Sequence, residues 1–267
     1  MTVIVGVRCT DGIVVGSDSV ASSAMGASPL ISLPSNSKIQ IFPGNVIVAT
    51  TGSVGYTQRL HAQIELAIKG NVFKNLPVHE CTANIAKRML SDLQSSMAQR
   101  HAQQGLQFGA LIAAPIRDEA YLVEYGTMDF QPEIKKDKLF FVSMGSGQLL
   151  ADPFLAFVKR MLWKDEPPTV DVGKFGVYWV LDHTIRLAPG GVGGPIKLAT
   201  LRQVGGAWTA EGLEDTQEQA EYVGELETHV GNFARHTIEQ APTTPPPAPP
   251  DPADIAIMQD LGSIAEG

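Results

Sequence analysis

The chain is poor in the residues that mark several protein classes. It has two cysteines, Cys9 and Cys81, in 267 residues, too few for a disulfide scaffold and in keeping with a reducing cytoplasm. It has no run of Lys or Arg, and its 20 basic residues are outnumbered by 28 acidic ones for a net charge of −8. That balance lacks the electrostatic footprint of a nucleic-acid binder. No apolar stretch approaches the ~20 residues needed to cross a bilayer as a helix. The opening Met1-Thr2-Val3-Ile4-Val5-Gly6-Val7-Arg8 has neither the charged n-region nor the long apolar h-region of a signal peptide. What is present is an ordinary share of core formers, 44% hydrophobic against 18% charged. This excludes a wholly disordered or fibrous chain and predicts a soluble protein dominated by one large domain.

Composition shifts sharply once. Pro242 to Pro252 reads PTTPPPAPPDP, seven prolines in eleven residues, which favours an extended linker over a helix or interior strand. The division is therefore a domain over 1–240, a Pro-rich linker over 241–252 and a short tail over 253–267. In the tail, the spacing of Ile257, Met258, Leu261 and Ile264 allows a short amphipathic helix.

Periodicity orders the rest. Val3–Val7 and Ile13–Ser17 read as a hairpin around Thr10-Asp11-Gly12, and Lys38–Phe42 with Asn45–Thr51 as a second around Pro43-Gly44. Helices are predicted over Tyr56–Lys69 and Val78–Gln103, then strands over Phe108–Pro115, Glu119–Tyr125 and Leu139–Ser143. Two more helices, Gly147–Trp163 and Val170–Leu187, precede a strand at Pro195–Gln203 and a last helix at Glu214–Glu239. Runs of strands and runs of helices indicate α+β layers, two sheets between helix layers, rather than a doubly wound parallel sheet.

Several familiar motifs fail on inspection. His79-Glu80-Cys81-Thr82-Ala83 begins like a zinc-protease helix but has Ala83 where the second histidine must stand. Gly145-Ser146-Gly147 lacks the glycine two residues before the serine of a nucleophile elbow. The glycine-rich Pro189–Gly194 stretch is not followed by the Lys-Ser/Thr pair of a phosphate loop. Neither a metal nor a nucleotide cofactor is expected.

Thr2 carries more chemistry. Freed of Met1, it bears a hydroxyl and an α-amine on one Cα. The amine, with an ordinary pKa near ~8, can serve as a general base near neutral pH. A hydroxyl with its own amine as base is a self-contained nucleophile.

The residues that follow resemble a proteasome β-subunit. Thr2 opens a strand; Asp18 lies sixteen residues on, in an Asp18-Ser19 pair that ends an apolar strand. Lys38-Ile39-Gln40-Ile41 resembles the family's lysine strand, Val46–Thr51 with Gly52-Ser53 its next strand and glycine turn, and Gly145-Ser146-Gly147 its Gly-Ser-Gly. The resemblance runs from Thr2 to about Gln203. It is nearest the bacterial branch beside Anbu and HslV: no propeptide is expected ahead of Thr2, and Asp182-His183-Thr184-Ile185-Arg186 resembles an Anbu helix. The Pro-rich tail is foreign to these groups.

The resemblance implies a four-layer αββα sandwich, the N-terminal nucleophile hydrolase fold, and a self-compartmentalising threonine-type endopeptidase. Thr2 would be the nucleophile, Lys38 the adjacent cation, Asp18 its partner, Gly52 the oxyanion donor and Ser146 a ligand of the Thr2 amine. It further implies a homo-oligomeric ring, commonly two stacked rings, a peptide or unfolded-protein substrate, and leaves open an ATPase partner. One departure stands out: the family's Asp-x-x-Ser-Gly-Gly pattern is broken. With Gly190-Gly191 or Gly193-Gly194 in the glycine positions, Pro189 or Val192 falls at the serine position and Arg186 or Pro189 at the aspartate position. Asp182, one helical turn earlier, is the candidate substitute for orienting the amine. That gap keeps two other readings in play, a ring that acts as a scaffold or binding chamber without peptidase activity, and a non-protease amidohydrolase with the same nucleophile.

Overall fold

Val46 and Val48 point one way from a strand and Ile47 and Ala49 the other, yet all four are buried. A strand covered on both faces needs an apolar residue at every position, which is why such stretches read as unbroken hydrophobic runs. In the computed structural model, residues 2–23, 31–34, 38–96, 108–188, 192–213 and 215–239 are described. Their elements are β1 (Ile4–Arg8), β2 (Gly12–Ser17), β3 (Val20–Ser23), β4 (Ile31–Pro34), β5 (Ile39–Phe42), β6 (Val46–Thr51), α1 (Val54–Lys69), α2 (Val72–Asn75) and α3 (Val78–Ser96). There follow β7 (Gly109–Ile116), β8 (Glu119–Tyr125), β9 (Pro132–Lys135), β10 (Phe141–Met144), α4 (Gln148–Met161), α5 (Val170–Leu187), β11 (Lys197–Val204), β12 (Ala207–Leu213) and α6 (Gln217–Glu239).

Two antiparallel five-stranded sheets form, in the orders β10-β1-β2-β11-β12 and β5-β6-β7-β8-β9, with a separate β3-β4 pair. Ile4, Ile13, Val15 and Leu201 of the first sheet meet Ile47, Ala49, Leu111 and Leu122 of the second in one inter-sheet core. The sheets approach so closely that a Cβ on Gly6 would lie 2.4 Å from Leu111 Cδ2. On the outer face of the second sheet, Val46, Val48, Ala110 and Ile112 pack with Leu60, Ile64, Ile85 and Met89 of α1 and α3. On the outer face of the first, α5 covers β2: a Cβ on Gly16 would strike Val177 and Leu181 at 2.6 and 2.7 Å. The result is the expected α+β sandwich, helices–sheet–sheet–helices.

The chain divides into a compact unit, Met1–Gly224, and a second unit beginning at Glu225. The described part of the second is helical, the end of α6. The expected linker and tail lie outside the described residues, as does the end of the helix predicted over Val78–Gln103, which is described to Ser96.

The last helix starts later than expected. Ala207–Leu213, between the last predicted strand and helix, is β12, paired with β11 through the Gly205-Gly206 turn. The helix begins at Gln217, whose N–H donates to Asp215 Oδ1 at 2.8 Å. An acidic side chain there accepts a helix-start donor that would otherwise lack a partner.

Candidate active site

β1 lies between β10 and β2, with Ile4 opposite both Met144 and Ser17. Three segments far apart in sequence therefore leave the sheet side by side: Thr2-Val3, Asp18-Ser19 and Gly145-Ser146. Hydrogen bonds continue past the strand ends. Asp18 N–H donates to Val3 O at 3.2 Å and Gly147 N–H to Thr2 O at 3.0 Å. The Thr2 nitrogen donates to Ser146 Oγ at 3.0 Å. This serine precedes α4, but no side chain caps that helix; its hydroxyl is committed to Thr2.

Asp18 is fully buried. A buried carboxylate is tolerated only when its oxygens are satisfied, and here four donors reach it. Oδ1 accepts Lys38 Nζ at 2.5 Å and Val3 N–H at 2.9 Å. Oδ2 accepts the N–H groups of Val20 and Gly193, each at 3.3 Å. The lysine stands at the entry to β5 with 9% of its side chain exposed. Burial lowers its pKa, and the hydrogen bond and charge of Asp18 oppose that fall.

Two glycines shape the other walls. Gly145 has φ +93°, and a Cβ there would lie 2.3 Å from the Thr2 carbonyl oxygen. Both the backbone conformation and the close approach require glycine. Gly52 has φ +108° and turns the chain from β6 into α1. Its neighbour Thr51 reaches the same place, with Oγ1 3.2 Å from the position of a Gly145 Cβ. Across the β5-β6 edge, Thr50 N–H donates to Lys38 O at 3.3 Å, so the lysine and the glycine turn are tied together.

Hydrogen bonds thus join Thr2 to Ser146 and Asp18 to Lys38, the two pairs linked through the backbone of Val3, and Gly52 follows the strand paired with the lysine's segment. Asp182 Oδ2 pairs with Arg186 Nη2 at 2.7 Å within α5. The helix approaches the site through Thr184, whose Cγ2 lies 3.4 Å from where a Gly147 Cβ would sit. Sequence reasoning missed the roles of Gly145, Thr51 and Gly193. A small residue beside the serine and a glycine pair after α5 were visible signals, but their contacts depend on long-range pairing.

Among the described residues, no group of three His, Cys, Asp or Glu side chains could hold a metal ion, and no helix is long and apolar enough to cross a membrane. A cavity of about 670 Å³ lined by Asn45, Phe73, Arg117 and Trp208 opens at the start of β6, the end opposite Thr51 and Gly52.

Comparison with known proteins agrees with this architecture. A family model described as Proteasome subunit matches residues 2–157. No curated protein matches the chain. Among solved structures it is similar to a Gly-1 mutant of Anbu from Hyphomicrobium sp. strain MC1, with TM-score 0.66 and 16% identity over 90% of this chain and 97% of that one. It is also similar to Anbu, the ancestral beta-subunit, from Yersinia bercovieri, with TM-score 0.66 and 16% identity over 87% and 97%. A helical assembly of the Anbu complex from Pseudomonas aeruginosa matches with TM-score 0.64 and 18% identity over 92% and 99%. At these identities the likeness is one of fold.

Proposed function

The chain belongs to the proteasome subunit family, and on that footing we propose that it is a threonine-type peptidase in which Thr2 is the N-terminal nucleophile. One observation carries the reading. Asp18 Oδ1 accepts both the N–H of Val3, the residue after the nucleophile, and the ammonium of Lys38. A single carboxylate thereby holds both the backbone next to residue 2 and the ammonium of Lys38.

The chemistry requires cleavage of the peptide bond ahead of Thr2. The freed amine, held at Ser146, then takes the proton from Thr2 Oγ directly or through water as the oxygen attacks a substrate carbonyl. Lys38 stabilises the incipient alkoxide and, as a like charge, lowers the proton affinity of the amine. The Gly52 N–H donates to the tetrahedral oxyanion, a contribution of about 3 kcal/mol in comparable sites. The Thr2 ammonium then gives that proton to the leaving nitrogen as the intermediate collapses, expelling the product amine and leaving an ester on Thr2. Water hydrolyses the ester with the amine again as base.

The reading extends to self-association in the cytoplasm. A similar chain is described as a helical assembly, and joined copies would enclose the nucleophile in a chamber. Stacked rings and a feeding ATPase are the forms the resemblance implies. A ring without peptidase activity is the second reading, favoured by the absence of the family's Asp and Ser ahead of the glycine pair and by the pairing of Asp182 with Arg186.

Substitution of Lys38 by Met tests the assignment. At an effective dielectric near 20, charges ~4 Å apart interact by about 4 kcal/mol, so loss of the cation should abolish peptide turnover. Arg at this position should fail too, because a planar fork does not replace a compact ammonium. A folded Lys38→Met protein within tenfold of the parent rate would contradict the assignment.

A further inference from the structure

Asp18 is served from a direction that the family pattern does not explain. Its Oδ2 accepts the N–H of Gly193 at 3.3 Å, and Gly193 belongs to the segment between α5 and β11. That segment is anchored by two buried apolar residues, Val192 and Ile196. Between them the chain is tied to Ser19. The Ser19 N–H donates to Gly193 O at 2.9 Å, and its hydroxyl donates to Pro195 O at 2.5 Å. Ser19 is itself only 6% exposed, so neither bond is readily replaced by water.

The contacts form a closed circuit. Asp18 and Ser19 are adjacent in sequence; Gly193 and Pro195 are two apart. Each pair gives and receives: the 193–195 segment donates an N–H to the carboxylate and accepts both the N–H and the hydroxyl of the serine. Gly193 also fits tightly, since a Cβ there would lie 2.8 Å from Val20 Cγ2. The same glycine-rich stretch has lost the polar residues that the family places before its glycine pair. Its backbone here points at the carboxylate that holds Lys38.

We propose that Ser19 is a positioning residue for the reaction: by pinning the Gly193–Pro195 segment it keeps the Gly193 N–H on Asp18 and so fixes the carboxylate that orients Lys38. The inference rests on the threonine-peptidase reading and adds to it a residue that touches neither substrate nor nucleophile. A buried carboxylate that loses one of four donors turns toward those that remain. Lys38 Nζ follows Asp18 Oδ1, and a displacement of about 1 Å at a catalytic group is enough to cost large factors in rate.

The test uses the full-length protein and a β-lactone electrophile that acylates N-terminal threonine, with kinact and KI measured separately. Ser19→Ala should lower kinact about tenfold while KI stays within about twofold, because tenfold corresponds to the ~1.4 kcal/mol of one hydrogen bond. Ser19→Thr retains the hydroxyl and should recover kinact to within about threefold. Hydrogen exchange read by mass spectrometry on the 192–198 peptide should speed up in Ser19→Ala and return in Ser19→Thr. Should Ser19→Ala fail to fold, Ser19→Cys, of similar size but a weak donor, takes its place with the same expectation.

A folded variant with parent kinact overturns the inference, and so does unchanged exchange over 192–198. A fall confined to thermal stability, with kinact of the folded protein unaltered, also overturns it, since that would make Ser19 purely structural. If the parent protein is not acylated at all, the peptidase reading fails, while the exchange arm still decides whether Ser19 pins the segment.

Discussion

Lys38 Nζ lies 2.5 Å from Asp18 Oδ1, and the aspartate is wholly buried. Removing one partner of such a pair strands the other charge, which costs about 3–5 kcal/mol. Asp18→Ala should therefore destabilise the protein by about that amount in a urea titration. A loss under about 1 kcal/mol would mean that water relieves Lys38 and that the pair is not desolvated.

The same lysine predicts a pH signature of stability. Burial lowers its folded pKa below the ordinary 10.5. Between the folded and unfolded values the unfolded chain holds more protons, so this group's contribution to stability rises with pH through that window. Compared with Lys38→Met, the parent should gain stability as pH climbs toward 10.5 from below. A difference between the two that stays flat over that range would show that Lys38 titrates alike in both states.

Neither cysteine should react in the folded protein. Burial raises the Cys81 thiol to about 12 and pushes Cys9 higher still, with Asp11 and Asp171 adding to the effect. An acid whose folded pKa is raised stabilises below its unfolded pKa, near 9.0 for these thiols, and loses that contribution above it. A colorimetric thiol reagent at pH 8 should find no fast-reacting thiol until denaturant is added. Rapid reaction of either would contradict the packing around it.

Gly145→Ala separates steric contact from backbone strain. The added methyl would meet the Thr2 carbonyl oxygen at 2.3 Å, whereas a Cβ on Gly206, also at positive φ, meets nothing within 4 Å. Gly206→Ala should cost about 1 kcal/mol for conformation alone. Gly145→Ala should cost at least twice that and displace Thr2. Equal losses in thermal denaturation would mean that the Gly145–Thr2 contact relaxes freely.

The inter-sheet spacing is open to a double-mutant cycle. Leu111→Ala should destabilise by about 2–5 kcal/mol. Gly6→Ala should also destabilise, because its Cβ would lie 2.4 Å from Leu111 Cδ2. Together they should cost less than the sum, the new methyl occupying part of the vacated space. Additive losses would show that the two residues do not share one space.

Most of the layering was legible because buried strands and amphipathic helices impose different periods. β6 reads Val-Ile-Val-Ala-Thr-Thr and is buried throughout, whereas β12, Ala-Trp-Thr-Ala-Glu-Gly-Leu, is an edge strand with several exposed residues. Weak apolar content and an internal glycine hid it. The short strand β9 escaped for a related reason, with Glu133 and a leading proline in four residues. Of the candidate site, the polar residues stood out because an N-terminal threonine, an acid and a lysine have chemical meaning in order. The Gly193 contribution did not, since a backbone N–H has no sequence signature of its own. Asp182 stands out in the sequence by its charge alone, and Arg186 one turn on pairs with it, an i,i+4 pairing open to any helix.

The central claim, that Thr2 is a free N-terminal nucleophile, meets its most direct test in mass spectrometry of the protein before and after exposure to a β-lactone. The untreated chain should begin at an unmodified Thr2, with Met1 absent. The treated chain should carry one adduct, confined to the N-terminal peptide, and Thr2→Ala should carry none. A retained Met1, a blocked Thr2, or an adduct located elsewhere would contradict the claim.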